Sequence, residues 1–368
     1  MTPPTAGTDA ASIADHLVGV LDQMPDPSGG PAAGQLERDL AEAFGVPHAV
    51  AVSSGTAALH GALFACSIGP GDEVLVPALT VVMTVAPLAA LGATPVFVDS
   101  DPNTLDIDYD DAARKVTSRT RAILPVHLWG RVGDPAALTA FAAAHDLVVI
   151  EDAAQAAGST RAGQRAGTIG TVGCFSLKDG KILWSGEGGF LLTARRDLAE
   201  HAAAFRSHWQ PAPPGQQPLS RLATNSRLAA PLAAIALANV HRFQDLLAWR
   251  QEQTRRLLHA LEQARGLIAL EPAADEQWNS FSPLLRVDLP GARAFTEHLA
   301  QQGVPNSTGS FRLVPCDTRP FAQPSRPCRG AAQILDHMLA VLITDRDTEA
   351  TLDHYAAVIT REATTWAA

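Results

Sequence analysis

Lysine is scarce in this chain, and its distribution marks one short segment. Lys115, Lys178 and Lys181 are the lysines among 368 residues, and the last two lie just before the run Gly186-Glu187-Gly188-Gly189. A primary amine forms an imine with an aldehyde, a reaction that arginine does not offer. The segment therefore predicts covalent chemistry of a lysine amine. The alternative is that the chain simply prefers arginine and that its few lysines lie on the surface at random. Lys115 falls on a charged helix and is expected to be solvated surface.

A second candidate element is the turn Ser53-Ser54-Gly55-Thr56, which follows a predicted strand and opens a predicted helix. Backbone N–H groups at a helix N-terminus, with a hydroxyl and an unhindered glycine, can bind a phosphate group. The same residues also fit an ordinary helix cap.

A third element is Glu151-Asp152-Ala153-Ala154-Gln155, directly after an apolar strand. Carboxylates at the carboxyl end of a buried parallel strand lie where α/β sheets bind ligands. A buried carboxylate needs a partner, and a protonated ring nitrogen would be one. The alternative is a carboxylate that caps the next helix.

A phosphate-binding turn, a carboxylate at a strand end and a lysine, in this order along the chain, predict a pyridoxal phosphate site. The lysine would bind the cofactor aldehyde as a Schiff base, and the aspartate would keep the pyridine nitrogen protonated so that the ring accepts electrons from the substrate Cα. The freed lysine amine would then move the Cα proton as a general acid and base.

The elements that must position these residues alternate along the chain. Strands are predicted over 48–52, 73–76, 95–98, 122–126, 147–150, 174–177 and 190–193, and helices over 12–21, 35–44, 56–66, 82–91, 109–116, 135–144 and 198–206. Continuous apolar strands alternating with helices predict a mostly parallel sheet covered on both faces, which is an α/β/α arrangement.

The C-terminal part has a different pattern. A long helical stretch over 228–261 with a break carries the chain out of the sheet, and a strand over 284–287 with helices over 292–302 and 345–359 follows it. We therefore expect a large cofactor-binding domain over 1–240 and a small C-terminal α+β domain over 241–368. Residues 1–9 are expected to be disordered, and 25–31 to form a loop.

Composition limits the partners. A net charge of -10 and a pI near 5.6 argue against non-specific binding to nucleic acid or to an anionic membrane. The chain shows neither a signal peptide nor an apolar run of about 18 residues, so a soluble cytoplasmic protein is expected. Cys316 and Cys328 could pair or share a metal, but no zinc-site spacing surrounds them, and no metal is predicted.

The motifs resemble those of the DegT/DnrJ/EryC1/StrS family of pyridoxal phosphate aminotransferases, which have the aspartate-aminotransferase fold (fold type I). The resemblance covers residues 35–227 and is faint beyond them. Besides the three elements above, it rests on Gly71-Asp72-Glu73-Val74, on residues 92–99, on Pro125-Val126-His127-Leu128 and on Phe175-Ser176.

The resemblance implies roles for individual residues. Lys181 would carry the Schiff base and Asp152 would bind the pyridine nitrogen. Gln155 would lie near the phenolic oxygen of the ring. Gly55, Thr56 and Ser176 would hold the phosphate, and Asn225 would reach the phosphate of the neighbouring subunit, which implies a homodimer with shared active sites. Lys178 would line the site, with the Schiff base on Lys178 as the alternative register.

Two departures from the family pattern leave the reaction open. Val81 stands where members carry an aromatic residue that stacks on the ring, and residues 209–225 are atypical. The leading expectation is transfer of an amino group from glutamate or glutamine to a ketone of a sugar nucleotide, cyclitol or related intermediate. Asp179-Gly180-Lys181 also resembles the lysine segment of 3-amino-5-hydroxybenzoate synthase, which implies a dehydratase and aromatase as an alternative. A regulatory protein that keeps the cofactor fold is a third.

Overall fold

The structure, a computed structural model, describes residues 6–24, 31–322 and 326–366. Its central element is a seven-stranded sheet with the strand order β1-β9-β8-β5-β4-β2-β3. These strands are β1 (His48–Val52), β2 (Glu73–Pro77), β3 (Thr94–Val98), β4 (Thr120–Ile123), β5 (Val148–Asp152), β8 (Val172–Ser176) and β9 (Gly189–Thr193). Neighbours from β8 to β3 pair in parallel, whereas β9 is antiparallel to both β8 and β1. The predicted α/β class with a mostly parallel sheet is confirmed.

Helices cover both faces of this sheet, because side chains that alternate along each strand are apolar on both sides. The helices of this part are α1 (Ala6–Leu21), α2 (Ala32–Phe44), α3 (Gly55–Ala65), α4 (Val82–Ala90), α5 (Tyr109–Lys115), α6 (Pro135–Ala144), α7 (Arg196–Phe205) and α8 (Ala230–His241). One core contains residues of α2 and α8 with Phe175 and Phe190, and another contains residues of α3 and α7 with Val50 and Cys174.

Two small sheets complete the strands. One is antiparallel, in the order β10 (Leu267–Ala269), β12 (Leu284–Val287), β13 (Met338–Ala340), and the other joins β11 (Glu276–Gln277) to the hairpin of β6 (Thr160–Arg161) and β7 (Gln164–Arg165). The remaining helices are α9 (Phe243–Ala260), α10 (Ala292–Gln301), α11 (Arg329–Asp336) and α12 (Glu349–Trp366). Residues of α9, α10 and α12 form a core of their own with the first of these sheets.

Two sequence-based expectations need correction. Residues 6–9 belong to α1 and are not disordered, whereas residues 1–5 lie outside the described part, as do 25–30 of the expected loop. Lys115 is not solvated: its side chain is 11% exposed, and its amine bonds Asp111 at 2.6 Å and the carbonyl oxygen of Phe97 at 2.8 Å. The lysine closes the end of α5 against β3, and its charge is compensated within the fold.

Candidate active site

Asp152 ends β5, at the carboxyl edge of the parallel part of the sheet, and is buried. Its Oδ2 accepts a hydrogen bond from Thr84 Oγ1 at 2.7 Å, and its Oδ1 accepts one from the backbone N–H of Ala154 at 3.1 Å. A carboxylate has about four lone-pair sites, so these two donors leave acceptor capacity for a cation.

Glu151, the residue before Asp152, has a structural role. It is fully buried and accepts backbone hydrogen bonds from Gly167, Ile169 and Gly170 at 2.7–2.8 Å, and it lies 2.8 Å from Nε2 of His127. Successive side chains of a strand point to opposite faces. Glu151 therefore anchors the loop at residues 167–170, and Asp152 alone faces the candidate site.

The lysine segment is the connection between β8 and β9. Lys181 is partly buried, and its Nζ lies 4.8 Å from the ring centroid of Phe281. Burial lowers the pKa of the Lys181 amine to about 8, the carboxylate of Asp152 raises it, and the amine of Lys178 lowers it. Lys178 itself is exposed. The charge of Asp152 thus acts on the amine of Lys181, and the two neighbouring lysines differ in burial.

The N-terminus of α3 lies against the ends of β8 and β9. Ser54 caps α3 by accepting the Ala57 N–H at 3.0 Å, so the predicted helix cap is present. A Cβ at Gly55 would lie 2.9 Å from Cβ of Ser176, which is closer than side-chain carbons approach each other. Glycine at this position therefore lets the partly buried Ser176 reach the first turn of α3, next to Thr56.

Gln155 lies between two other segments. Its Oε1 accepts the backbone N–H of Trp129 at 2.6 Å, and its backbone carbonyl accepts Nδ2 of Asn279 at 2.9 Å. Trp129 is buried and has a positive φ of 60°, and its indole N–H donates to Ser307 at 3.2 Å. These bonds fix Gln155 three residues beyond Asp152.

Asn225 is a predicted site residue whose side chain makes none of the contacts described above. It is exposed, and its backbone forms an isolated bridge with Ser207. The next residue, Ser226, accepts the backbone N–H of Ser53 at 2.8 Å. The segment is therefore anchored to the turn at residues 53–54, and Asn225 itself is exposed.

The sequence analysis did not indicate two residues near the site, Phe281 and Thr84. The ring of Phe281 lies beside the amine of Lys181. Val81, which stands where family members carry an aromatic residue, is a partly buried apolar residue at the start of α4. Thr84 bonds Asp152 although 68 positions separate them in the chain. No local pattern predicts either contact, because both join segments that are distant in sequence.

The donor set fits pyridoxal phosphate. A helix N-terminus with a glycine and hydroxyls suits the phosphate, the buried carboxyl group of Asp152 suits the ring nitrogen, and an amine with a lowered pKa suits the aldehyde. Within the described residues no group of three or more His, Cys, Asp or Glu is arranged to hold a metal ion, and Cys316 and Cys328 are free thiols. None of the described helices is long and apolar enough to cross a membrane.

Comparison with known proteins identifies aminotransferases as the relatives of this chain. Residues 10–359 match the sequence profile of the DegT/DnrJ/EryC1/StrS aminotransferase family. The L-glutamine:2-deoxy-scyllo-inosose aminotransferase of Micromonospora echinospora is 39% identical over 258 residues, which are 66% of this chain and 60% of that protein. The chain spans less than two thirds of the length of the relatives that it matches at 39% identity.

Two further comparisons cover more of the chain. The UDP-N-acetyl-3-dehydro-alpha-D-glucosamine 3-aminotransferase of Acidithiobacillus ferrooxidans is 33% identical over 330 residues, 89% of this chain and 87% of that protein. Among solved structures, S. venezuelae DesV in complex with a ketimine intermediate superposes with a TM-score of 0.85 at 29% identity, over 96% of this chain and 95% of that one. The predicted fold type I is confirmed by this likeness.

Proposed function

The chain belongs to the DegT/DnrJ/EryC1/StrS aminotransferase family, and we propose that it transfers an amino group from glutamate or glutamine to a ketone of a sugar nucleotide, a cyclitol or a related intermediate. The observation that carries this proposal is that a partly buried Lys181, in the connection between β8 and β9, lies close enough to the buried Asp152 at the end of β5 for the carboxylate to raise the pKa of the amine. The relatives named above act on a cyclitol and on a UDP-linked sugar, and both acceptor classes therefore stay within the proposal.

Pyridoxal phosphate is the cofactor of this proposal, and when bound it supplies an electron-accepting ring next to the substrate Cα. Lys181 Nζ would hold the cofactor aldehyde and would then move the Cα proton, a role that suits an amine with a pKa of about 8. Asp152 holds the proton of the ring nitrogen in place. Gly55, Thr56 and Ser176 bind the phosphate, and Gln155 lies near the phenolic oxygen.

The half-reaction with the amino donor tests this function without knowledge of the acceptor. Purified protein loaded with pyridoxal phosphate should convert to the pyridoxamine form when glutamine or glutamate is added, as followed by absorbance. Lys181→Ala should lose the absorption band of the covalently bound cofactor, and Lys178→Ala, the matched control, should keep it. A colourless Lys178 variant would move the attachment to the other lysine.

Other outcomes separate the alternatives. Loss of water from a cyclic acceptor without conversion to the pyridoxamine form would favour the dehydratase of the 3-amino-5-hydroxybenzoate synthase type. No spectral change with cofactor or donor would favour a regulatory protein.

We also propose a homodimer in which Asn225 completes the phosphate site of the partner. Support comes from its exposure and from the bond that ties the adjacent Ser226 to Ser53. Mixed dimers of Lys181→Ala and Asn225→Ala subunits provide the test, because one of their two sites then has both native residues. Random exchange of equal amounts should restore about a quarter of all sites to the native composition. Activity that stays at the mean of the two parent variants would refute the shared site.

A further inference from the structure

Two buried threonines lie behind the carboxylate that faces the candidate site. Thr80 and Thr84 flank Val81 at the start of α4, and both are fully buried. Their hydroxyl oxygens are 2.7 Å apart, and Thr84 Oγ1 is 2.7 Å from Asp152 Oδ2. These three side chains form a continuous line of hydrogen bonds that ends on Asp152.

The direction of the protons follows from the number of donors. Thr84 has one hydroxyl proton, and an ionised carboxylate only accepts. That proton is therefore on the bond to Asp152, and Thr84 must accept the proton of Thr80. Both hydroxyl dipoles consequently point towards the carboxylate, and hydrogen bonds in such a chain polarise one another.

The arrangement differs from what a helical threonine does by default. Such hydroxyls commonly donate to the carbonyl oxygen four residues earlier. Thr139 on α6 and Thr364 on α12 do so, each at 2.8 Å. For Thr84 the corresponding carbonyl is that of Thr80, which instead accepts Sγ–H of Cys316 at 3.3 Å. Thr84 thus forgoes the local acceptor and bonds a carboxylate on a different strand.

We propose that Thr84, supported by Thr80, is a positioning residue that orients the Asp152 carboxylate so that its free lone pairs can accept a hydrogen bond from the protonated ring nitrogen of the cofactor. Donors to the charged form of a carboxylate favour that form, which matters most where burial opposes charge. Without them, the carboxylate would stabilise a proton on the ring nitrogen less well. This inference rests on the proposed function and concerns residues that do not touch the reacting atoms.

The test replaces the hydroxyl while keeping the volume. Thr84→Val removes the donor, Thr84→Ser keeps it, and Thr193→Val is the matched control, because Thr193 is a buried threonine on β9 whose hydroxyl bonds the carbonyl oxygen of Thr171 at 2.8 Å. Pyridoxal phosphate labelled with nitrogen-15 in its ring reports the protonation of that nitrogen directly by its chemical shift. The affinity of the apoprotein for cofactor and the rate of the donor half-reaction are measured beside it.

We expect Thr84→Val to move the nitrogen shift towards that of the unprotonated ring and to slow the half-reaction by about tenfold to a hundredfold, the worth of a hydrogen bond to a charged group. Thr84→Ser and Thr193→Val should keep the native shift. If Thr84→Val does not fold, Thr80→Val gives the same readouts with a smaller change in the same direction.

A native nitrogen shift and rate in Thr84→Val, or in a folded Thr80→Val that replaces it, would overturn the inference. That failure is distinct from a failure of the proposed function, in which the unaltered protein itself would neither bind the cofactor covalently nor convert it with an amino donor.

Discussion

The lowered pKa of Lys181 predicts how the apoprotein reacts with aldehydes as pH changes. Only a neutral amine attacks a carbonyl carbon. With the ordinary lysine pKa of 10.5, about one amine in three thousand is neutral at pH 7, whereas with a pKa of about 8 about one in ten is neutral. Lys181 should therefore react about 300-fold faster than a solvated lysine of equal intrinsic reactivity at this pH.

The assay uses a small aromatic aldehyde without a phosphate group, so that cofactor binding does not mask the amine. The rate of imine formation should rise with pH and level off above a midpoint near pH 8. Borohydride reduction followed by peptide mass spectrometry assigns the adduct to Lys181, and Lys181→Ala provides the blank.

Two substitutions of neighbouring charged residues should shift this midpoint in opposite directions. Lys178→Ala removes a positive charge that lowers the pKa, so the midpoint should move to higher pH. Asp152→Asn removes a negative charge that raises the pKa, so the midpoint should move to lower pH. A midpoint near 10, or the same direction of change in both variants, would refute the electrostatic account of this amine.

Three substitutions should also change activity, stability or cofactor binding. Asp152→Asn should lose most transamination activity while it still binds cofactor, as measured by the half-reaction and by absorbance, and native turnover would contradict its role at the ring nitrogen. Glu151→Gln should lower the free energy of unfolding by about 1–3 kcal/mol, because an amide has one acceptor oxygen and cannot satisfy three backbone donors as the carboxylate does, and denaturant titration measures this. Gly55→Ala should weaken cofactor binding, measured by titration of apoprotein, because the new Cβ displaces Ser176. An unchanged affinity would contradict phosphate binding at this position.

The large sheet was predictable from sequence because its strands are short apolar runs separated by helices. The predicted β1 and α6 have the observed bounds, and Asp152 ends β5 as the motif indicated. Asp152 and Ser176 end strands, Gln155 and Lys181 lie in the connections after strands, and Gly55 and Thr56 begin α3, so all six lie where an apolar run ends. Such positions reveal themselves in a single sequence.

The rest depends on contacts between distant segments. Thr84 reads as one polar residue in an apolar helix until β5 is placed beside it, and Phe281 lies in a stretch whose local pattern gives no reason to expect a ring beside Lys181. The strands β6, β7 and β11 have two residues each, which is too short for a periodic signal. The burial of Lys115 was missed because its ion pair with Asp111 compensates a charge that sequence reasoning assigns to water.

The division of labour between Glu151 and Asp152 has a consequence for how this strand tolerates change during evolution. Adjacent acids on one strand exchange faces if the pairing slips by a single position. A deletion within β5 that moves these acids back by one position would place Asp152 where Glu151 now bonds the amides at residues 167–170, and would leave Ala153 facing the candidate site. Length variation in this protein should therefore be confined to the connections on either side of β5, whatever freedom its individual side chains have.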